Sequence, residues 1–374
     1  MVASQIAPGT EGTTLSLQVA RDDLRRVRVA ETSPAEPGPG EALFRVERFG
    51  VSANNVTYAL LGDQLRYWDL FPAETGWGQI PVWGYLRAVA SRSGEVERGR
   101  RAFGLCPMST RVLMRPDRGD AAGFRDASVA RSAVSGVYNA YFWADGDSPG
   151  SRIGDLLVVL RPLFWLSFTL DNYLAENDGL TSGAVITSAS SKAAIGLAHL
   201  LRGRGVPTVG LTSPRHVGFV KETSEYGAVA GYDQLGALAA LTGSRTTLID
   251  IAGNRALRQE IRDRLAGGLT SVLAAGSTHG DGNPASSAAV GSAAVDEAIS
   301  FFAPQQIRAL SRRWGWDVLQ QRFTAALDGF AASATWLSIE TAHGMGGLAR
   351  VYQGVLDNDS SPAVAHVVDL TTET

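Results

Sequence analysis

The sequence predicts an α/β chain of two domains, one rich in strands and one built on a parallel sheet covered by helices. Three observations carry this. The chain has 374 residues, too many for one ordinary core. Residues 15 to 115 read as short strands cut by Gly and Pro, with apolar and polar positions alternating. The later sequence alternates apolar runs with amphipathic stretches, the pattern of strands buried on both faces and helices that cover them.

In the first part, "EALFRVERFGVSA" places Ala42, Phe44 and Val46 on one side and Glu41, Arg45 and Glu47 on the other. "PVWGYLRAVAS", "RRAFGLCP" and "TRVLMRP" are further strands, and "GEVERG" is a tight polar turn. From about residue 125 the period changes, and "DASVARSAVSGVYNAYFWA" and "FWLSFTLDNYLAEN" suit helices. "GAVITSAS" is a buried strand, followed by the helix "KAAIGLAHLLRGRG" ended by Gly205 and the strand "PTVGLTS". "HVGFVKETSEYG" suits a helix ended by Gly227, and "AVAGYDQL" a third strand. "TTLIDIAG", "NRALRQEIRDRLAGG" and "LTSVLAAGS" form another strand–helix–strand unit. After the small-residue loop "HGDGNPASSAAVGSA", helix returns from Ala303 to Trp336, and "AVAHVVDL" closes as a strand.

Composition narrows the function. A net charge of −3 offers no field for a polyanion, so nucleic acid is not an expected partner. The single Cys106 excludes an intramolecular disulfide and a cysteine-rich zinc site. His199, His216, His279, His343 and His366 are scattered, so no metal is expected. The N-terminus lacks the layout of a signal peptide. The longest apolar segment, "DLLVVLRPLFWLSFTL", is interrupted by Arg161 and Pro162, so no membrane span and a cytoplasmic location are expected.

"AVITSASSKAAIGLAHLL" raises the functional question, because it is a strand, a tight turn and a helix. A helix N-terminus offers unpaired N–H groups and the positive end of its dipole, which a diphosphate satisfies. Glycines normally bring the backbone close, yet here Gly196 remains alone, in the position that lets the helix pack tightly. Ser190, Ser191 and Lys192 would supply hydroxyls and a charge instead. The alternative is a strand–helix corner with Ser as its cap. At the end of the second strand, "LTSPRHVGFVKE" carries no acid for a ribose diol, while Ser213 and Arg215 suit a 2′-phosphate. That favours NADP(H) over NAD.

In this order the pieces resemble the medium-chain dehydrogenase/reductase superfamily, on its zinc-free quinone oxidoreductase and enoyl reductase side. Within it they look like a branch known chiefly as a domain of unknown function. "PGEALFRVERFGVSANNVTYALLGD" is similar to the opening strands and substrate-side loop of that superfamily, and "IPVWGYLRAVASRSGEVERGRRAFGLCP" to its "PxxxGxExxGxVxxxGxxVxxxxxGDxV" stretch. "VITSASSKAAIGLAHLLRGRGVPTVGLTSP" and "TTLIDIAGNRALRQEIRDRLAGGLTSVLAAGS" resemble the nucleotide turn and the segment flanking the nicotinamide. The chain departs from the pattern at Gly84-Tyr85-Leu86, where a glutamate of the zinc-bearing branch is absent. It departs again at Gly99-Arg100-Arg101-Ala102, and at the turn, Ser190-x-x-Ala193-x-x-Gly196.

The resemblance implies a GroES-like β-rich catalytic domain, residues 1–150 and 311–374, interrupted by a Rossmann domain, residues 151–310, with the site in the cleft between them. Its zinc-free members polarise a carbonyl with a hydrogen-bond donor, commonly a tyrosine, which makes Tyr58 the expected donor with Asn55 orienting. Ser190, Ser191, Lys192, Gly196, Ser213, Arg215 and Tyr232 would hold the nucleotide, and Gly253, Asn254, Gly276 and Ser277 would line its nicotinamide end. His343 is a further candidate proton donor. Aromatics in a Gly/Pro-punctuated stretch, Trp68, Phe71 and Trp77, suggest a bulky, apolar small-molecule substrate. The expected activity is NADP(H)-dependent reduction of an activated C=C or conjugated carbonyl. A non-redox reaction on the same scaffold, such as C–C cleavage, isomerisation or dehydration, and a nucleotide-binding protein without catalysis remain as alternatives. A homodimer is expected, with "LTSVLAAGS" as a sheet edge able to pair across it.

Overall fold

The computed structural model describes residues 13–33, 35–132, 134–177, 183–236, 238, 245–265, 267–275 and 298–372. Gly276, Ser277, His279 and the small-residue loop lie outside the described residues. The chain divides into two compact units, Met1–Val159 with Ser338–Thr374, and Leu160–Leu337.

The first unit contains β1 (Thr14–Ala20), β2 (Val27–Thr32), β3 (Ala42–Val51), α1 (Ala53–Leu60), β4 (Trp77–Gly78), β5 (Pro81–Ser91), β6 (Arg101–Pro107), β7 (Arg111–Met114), β8 (Pro116–Asp117), β9 (Gly123–Asp126) and β10 (Ala140–Trp143). The unit boundary falls inside α2 (Arg152–Glu176). The second unit continues with β11 (Gly183–Thr187), α3 (Lys192–Gly203), β12 (Thr208–Thr212), α4 (Val217–Glu222), β13 (Ala228–Gly231), β14 (Thr246–Asp250), α5 (Arg255–Leu265), β15 (Leu269–Ala274), β16 (Ile299–Ser300), α6 (Ala303–Trp314) and α7 (Trp316–Ser333). The first unit resumes with β17 (Ser338–His343), α8 (Gly344–Leu356) and β18 (Val364–Asp369).

The boundaries correct those expected from the sequence. Residues 311–337 belong to the second unit, because α7 lays Phe323 on Trp165 and Phe330 on Phe164, with ring centroids 3.7 and 5.3 Å apart. Residues 151–159 belong to the first, where Asp155 meets Arg48 at 3.0 Å. The polar Arg161 and the ring of Pro162 do not end the helix, and α2 runs through both. By length and composition this helix could cross a membrane, but 67% of its apolar window is buried inside the structure, as in a core helix.

In the first unit β2-β1-β4 form a small sheet, and a larger one runs β17-β18-β3-β5-β6-β10-β9-β8 with β7 beside β3. Phe44, Val46 and Phe49 of β3 are fully buried, which is what its apolar spacing demands. Glu47 is buried as well, because Arg87 Nε and Arg101 Nε reach it at 2.6 and 2.8 Å. The described residues of 125–143 form no α-helix. They are the end of β9, two short 3₁₀ turns and β10. Arg131 fixes this stretch: its side chain is 2% exposed, ion-paired to Asp126 at 2.8 Å, and donates to the carbonyls of Tyr138 and Leu105. Trp68 and Phe71 are core residues rather than loop aromatics. Gly62 and Gly78 both press on the Trp68 indole, leaving no room for a Cβ at either position.

The second unit is a parallel sheet of order β13-β12-β11-β14-β15-β16. Alternate residues of β11 enter different cores: Ala184 and Ile186 pack with α2 and α3, and Val185 packs with α5. Because β16 pairs with β15, "LTSVLAAGS" is not the sheet edge expected for dimerisation. The helix α4 stops at Glu222, and the left-handed residue beyond it is Ser224 rather than Gly227.

Candidate functional site

Counted from β11, the parallel sheet reads 3-2-1-4-5-6, and its order reverses between β11 and β14. In open sheets of this kind ligands bind at the carboxyl ends of the strands where the order reverses. Here that edge is built from side chains. Thr187, fully buried at the end of β11, donates its hydroxyl to Asp250 Oδ1 at 2.8 Å. It accepts the N–H groups of Ile251 and Ala252, each at 3.0 Å. Gly253, at φ +68, donates its N–H to Asp250 Oδ1 at 3.0 Å, and Asn254 Oδ1 caps α5 by accepting from Leu257 N–H at 3.1 Å. Gly253 and Asn254 therefore shape the end of β14. The buried Asp250 Oδ2 has no hydrogen-bond partner among the described residues, with Arg258 Nε 3.7 Å away.

The turn after β11 is held by its own residues. Ser188 is left-handed, φ +54, and donates its N–H to Tyr232 OH at 3.0 Å. Ser191 is the cap of α3, accepting from Ala194 N–H at 3.2 Å. Gly196 has a different neighbour from the one expected. A Cβ there would lie 2.9 Å from Ser167 Oγ and 3.0 Å from Phe164, so the glycine lets α3 approach α2. Part of the Lys192 side chain is exposed, yet desolvation pulls its pKa down to about 8. A lysine so placed keeps most of its charge at pH 7, loses it just above, and gains from an anion beside it.

Ser190 looks towards β12. Its Oγ accepts from Thr212 Oγ1 at 3.1 Å and lies 3.4 Å from His216 Nδ1. Ser213 Oγ is 3.1 Å from the same ring nitrogen. Arg215, between them in sequence, is exposed and has no anionic partner among the described residues. Hydroxyls, an imidazole and a guanidinium thus gather at the end of β12 with no carboxylate in 212–216. This donor set fits a phosphate monoester and does not fit a ribose diol, which needs an acceptor. Thr187, Thr212, His216 and Asp250 also stand at these strand ends, and of them the sequence marks His216 by its place directly after Arg215.

Tyr58 and Asn55 lie in the first unit, on α1, where the resemblance implied a loop. Asn55 braces this helix: its Oδ1 accepts from Ser52 N–H at 2.8 Å and its Nδ2 donates to Pro81 O at 2.9 Å. Tyr58 OH accepts from Trp83 Nε1–H at 3.2 Å, which leaves the phenolic proton available to donate elsewhere. Its ring packs 4.7 Å from Tyr67, whose hydroxyl shares a 2.8 Å hydrogen bond with Tyr138. Burial pushes the Tyr58 phenol above its usual pKa, so it is protonated at neutral pH. His343 is exposed and bonded to Thr372 Oγ1 at 2.9 Å. Among the described residues no group of three His, Cys, Asp or Glu could hold a metal ion.

The fold has solved counterparts. A probable oxidoreductase from Mycobacterium abscessus is 12% identical with a TM-score of 0.58, covering 96% of this chain and 100% of its own. CurA from Vibrio vulnificus in complex with NADPH is 11% identical with a TM-score of 0.57, covering 97% and 99%. The quinone oxidoreductase from Coxiella burnetii is 8% identical with a TM-score of 0.53, covering 96% and 99%. No curated protein sequence matches the chain. The sequence profile described as "Protein of unknown function (DUF2855)" matches residues 49–361. This chain is a member of the DUF2855 family, and its fold is the GroES-like plus Rossmann pair of the medium-chain dehydrogenases/reductases.

Proposed function

We propose that this chain is an NADP(H)-dependent oxidoreductase that reduces an activated C=C bond, or a carbonyl conjugated to it, without a metal ion. The observation that carries the reading is the end of β12, where Ser213, Arg215 and His216 stand and no carboxylate does. The neighbours bound to NADPH, CurA among them, support the cofactor class.

A bound dinucleotide supplies the hydride. The residues of the chain bind and orient. Arg215 and Ser213 hold the 2′-phosphate, and Lys192 and the start of α3 face the diphosphate. Tyr58, kept protonated by burial and fixed by Trp83, donates a hydrogen bond to the substrate carbonyl oxygen and takes up the charge that develops there. The substrate is a conjugated carbonyl compound. Burial of Trp68 and Phe71 removes the argument that it must be bulky.

Calorimetric titration with NADPH and NADH tests this reading. Arg215→Ala should weaken NADPH about tenfold or more, the worth of a charge-assisted hydrogen bond, and leave NADH unchanged. Equal losses for both would remove the 2′-phosphate role. The self-capped turn favours a second reading, a non-redox enzyme, if neither dinucleotide binds and turnover persists without one.

A further inference from the structure

His216 is drawn into the cluster at the end of β12 by its Nδ1. Its Nδ1 lies 3.1 Å from Ser213 Oγ and 3.4 Å from Ser190 Oγ. Thr212 is buried and donates its hydroxyl to Ser190 Oγ at 3.1 Å, so the Ser190 proton is free to point at the ring. A hydroxyl proton pointing at Nδ1 is accepted by a neutral imidazole that carries its own proton on Nε2. No group among the described residues engages Nε2.

We propose that His216 takes up a proton as a phosphate monoester binds beside it, so that the 2′-phosphate site is gated by pH. The proposal rests on the NADP(H) reading of this same site. The charged groups around the imidazole are mixed in sign, and Arg215 acts on it most directly. Arg215 is on the same turn; of the elements packed against that turn, α4 carries Lys221 and Glu222, and β13 is followed directly by Tyr232 and Asp233. Lys192 opens the neighbouring helix. Burial, and then the Arg215 guanidinium, push the imidazole below its ordinary pKa. It is therefore neutral at about pH 7 in the free protein. A phosphate dianion reverses the field and raises that pKa. Affinity for the 2′-phosphate then grows as pH falls through the bound-state pKa and levels off below the free-state value.

The test uses adenosine 2′,5′-bisphosphate and AMP on the full chain. Each is titrated calorimetrically at about pH 7, where Lys192 is mostly charged, in two buffers of different ionisation enthalpy. The bisphosphate should bring in roughly half a proton and AMP close to none, and His216→Gln should abolish the uptake while AMP still binds. Bisphosphate binding without uptake, or with uptake unchanged in His216→Gln, overturns the proposal and leaves the NADP(H) reading standing. Bisphosphate binding no tighter than AMP overturns that reading itself. If His216→Gln binds neither probe, the wild-type pH series decides. Bisphosphate affinity that rises several-fold relative to AMP between about pH 8 and pH 6 supports the gate, and a flat ratio refutes it.

Discussion

Replacing Gly196 by alanine tests whether this residue belongs to the packing of α3 or to a phosphate grip. The new Cβ would sit 2.9 Å from Ser167 Oγ and 3.0 Å from the Phe164 ring, several tenths of an ångström inside ordinary contact. Neither neighbour yields easily. Ser167 Oγ donates to Ala193 O at 2.6 Å on the same helix, and Phe164 is stacked on Phe330 at 5.3 Å. Overpacking of this kind costs about 1–3 kcal/mol. Alanine recovers about 1 kcal/mol of helix propensity. The net expectation is a loss of roughly 0–2 kcal/mol in urea denaturation, with NADPH affinity unchanged within about twofold. A stabilisation of about 1 kcal/mol would show that only propensity matters and that the close approach is not real. A large drop in affinity at unchanged stability would place Gly196 against the phosphates instead.

Asp126→Asn leaves Arg131 buried without its counter-charge and should cost about 3–5 kcal/mol, read as a shift of the urea midpoint. Glu47 tests the pH dependence: burial works to raise its pKa, but the hydrogen bonds from Arg87 and Arg101 hold it below the ordinary glutamate value. Its contribution is therefore present above the unfolded-state pKa and lost as pH falls through the folded one. Glu47→Gln should be less stable than the wild type near neutrality, with the gap closing in acid. Tyr58→Phe should lower turnover of an enone about 10²- to 10⁴-fold with NADPH binding unchanged, and equal rates would remove the phenol from the chemistry.

The strand–turn–helix at 183–203 was legible because a strand buried on both faces leaves an unbroken apolar run, and Gly205 marks the end at φ +72. The places of Ser213, Arg215 and Tyr232 just beyond the ends of β12 and β13 were legible for the same local reason. What was illegible depends on partners far away in sequence. Residues 125–143 carry a three- and four-residue spacing, but Arg131 answers to Asp126, Tyr138 and Leu105, and so the chain folds into turns. Trp68 read as a loop residue because the two glycines that enclose it, Gly62 and Gly78, flank it at a distance. The exposed strand β17 offers no apolar alternation, and β16 is two residues long. Thr187 and Asp250 meet across 63 positions, a pairing visible once the sheet places β11 beside β14.

One titration tests the NADP(H) site most directly: NADPH and NADH against the wild-type chain and Arg215→Ala. The wild type should prefer NADPH, and the variant should lose that preference while NADH affinity stays where it was. A wild-type protein that binds both dinucleotides equally, or neither, contradicts a 2′-phosphate site at the end of β12.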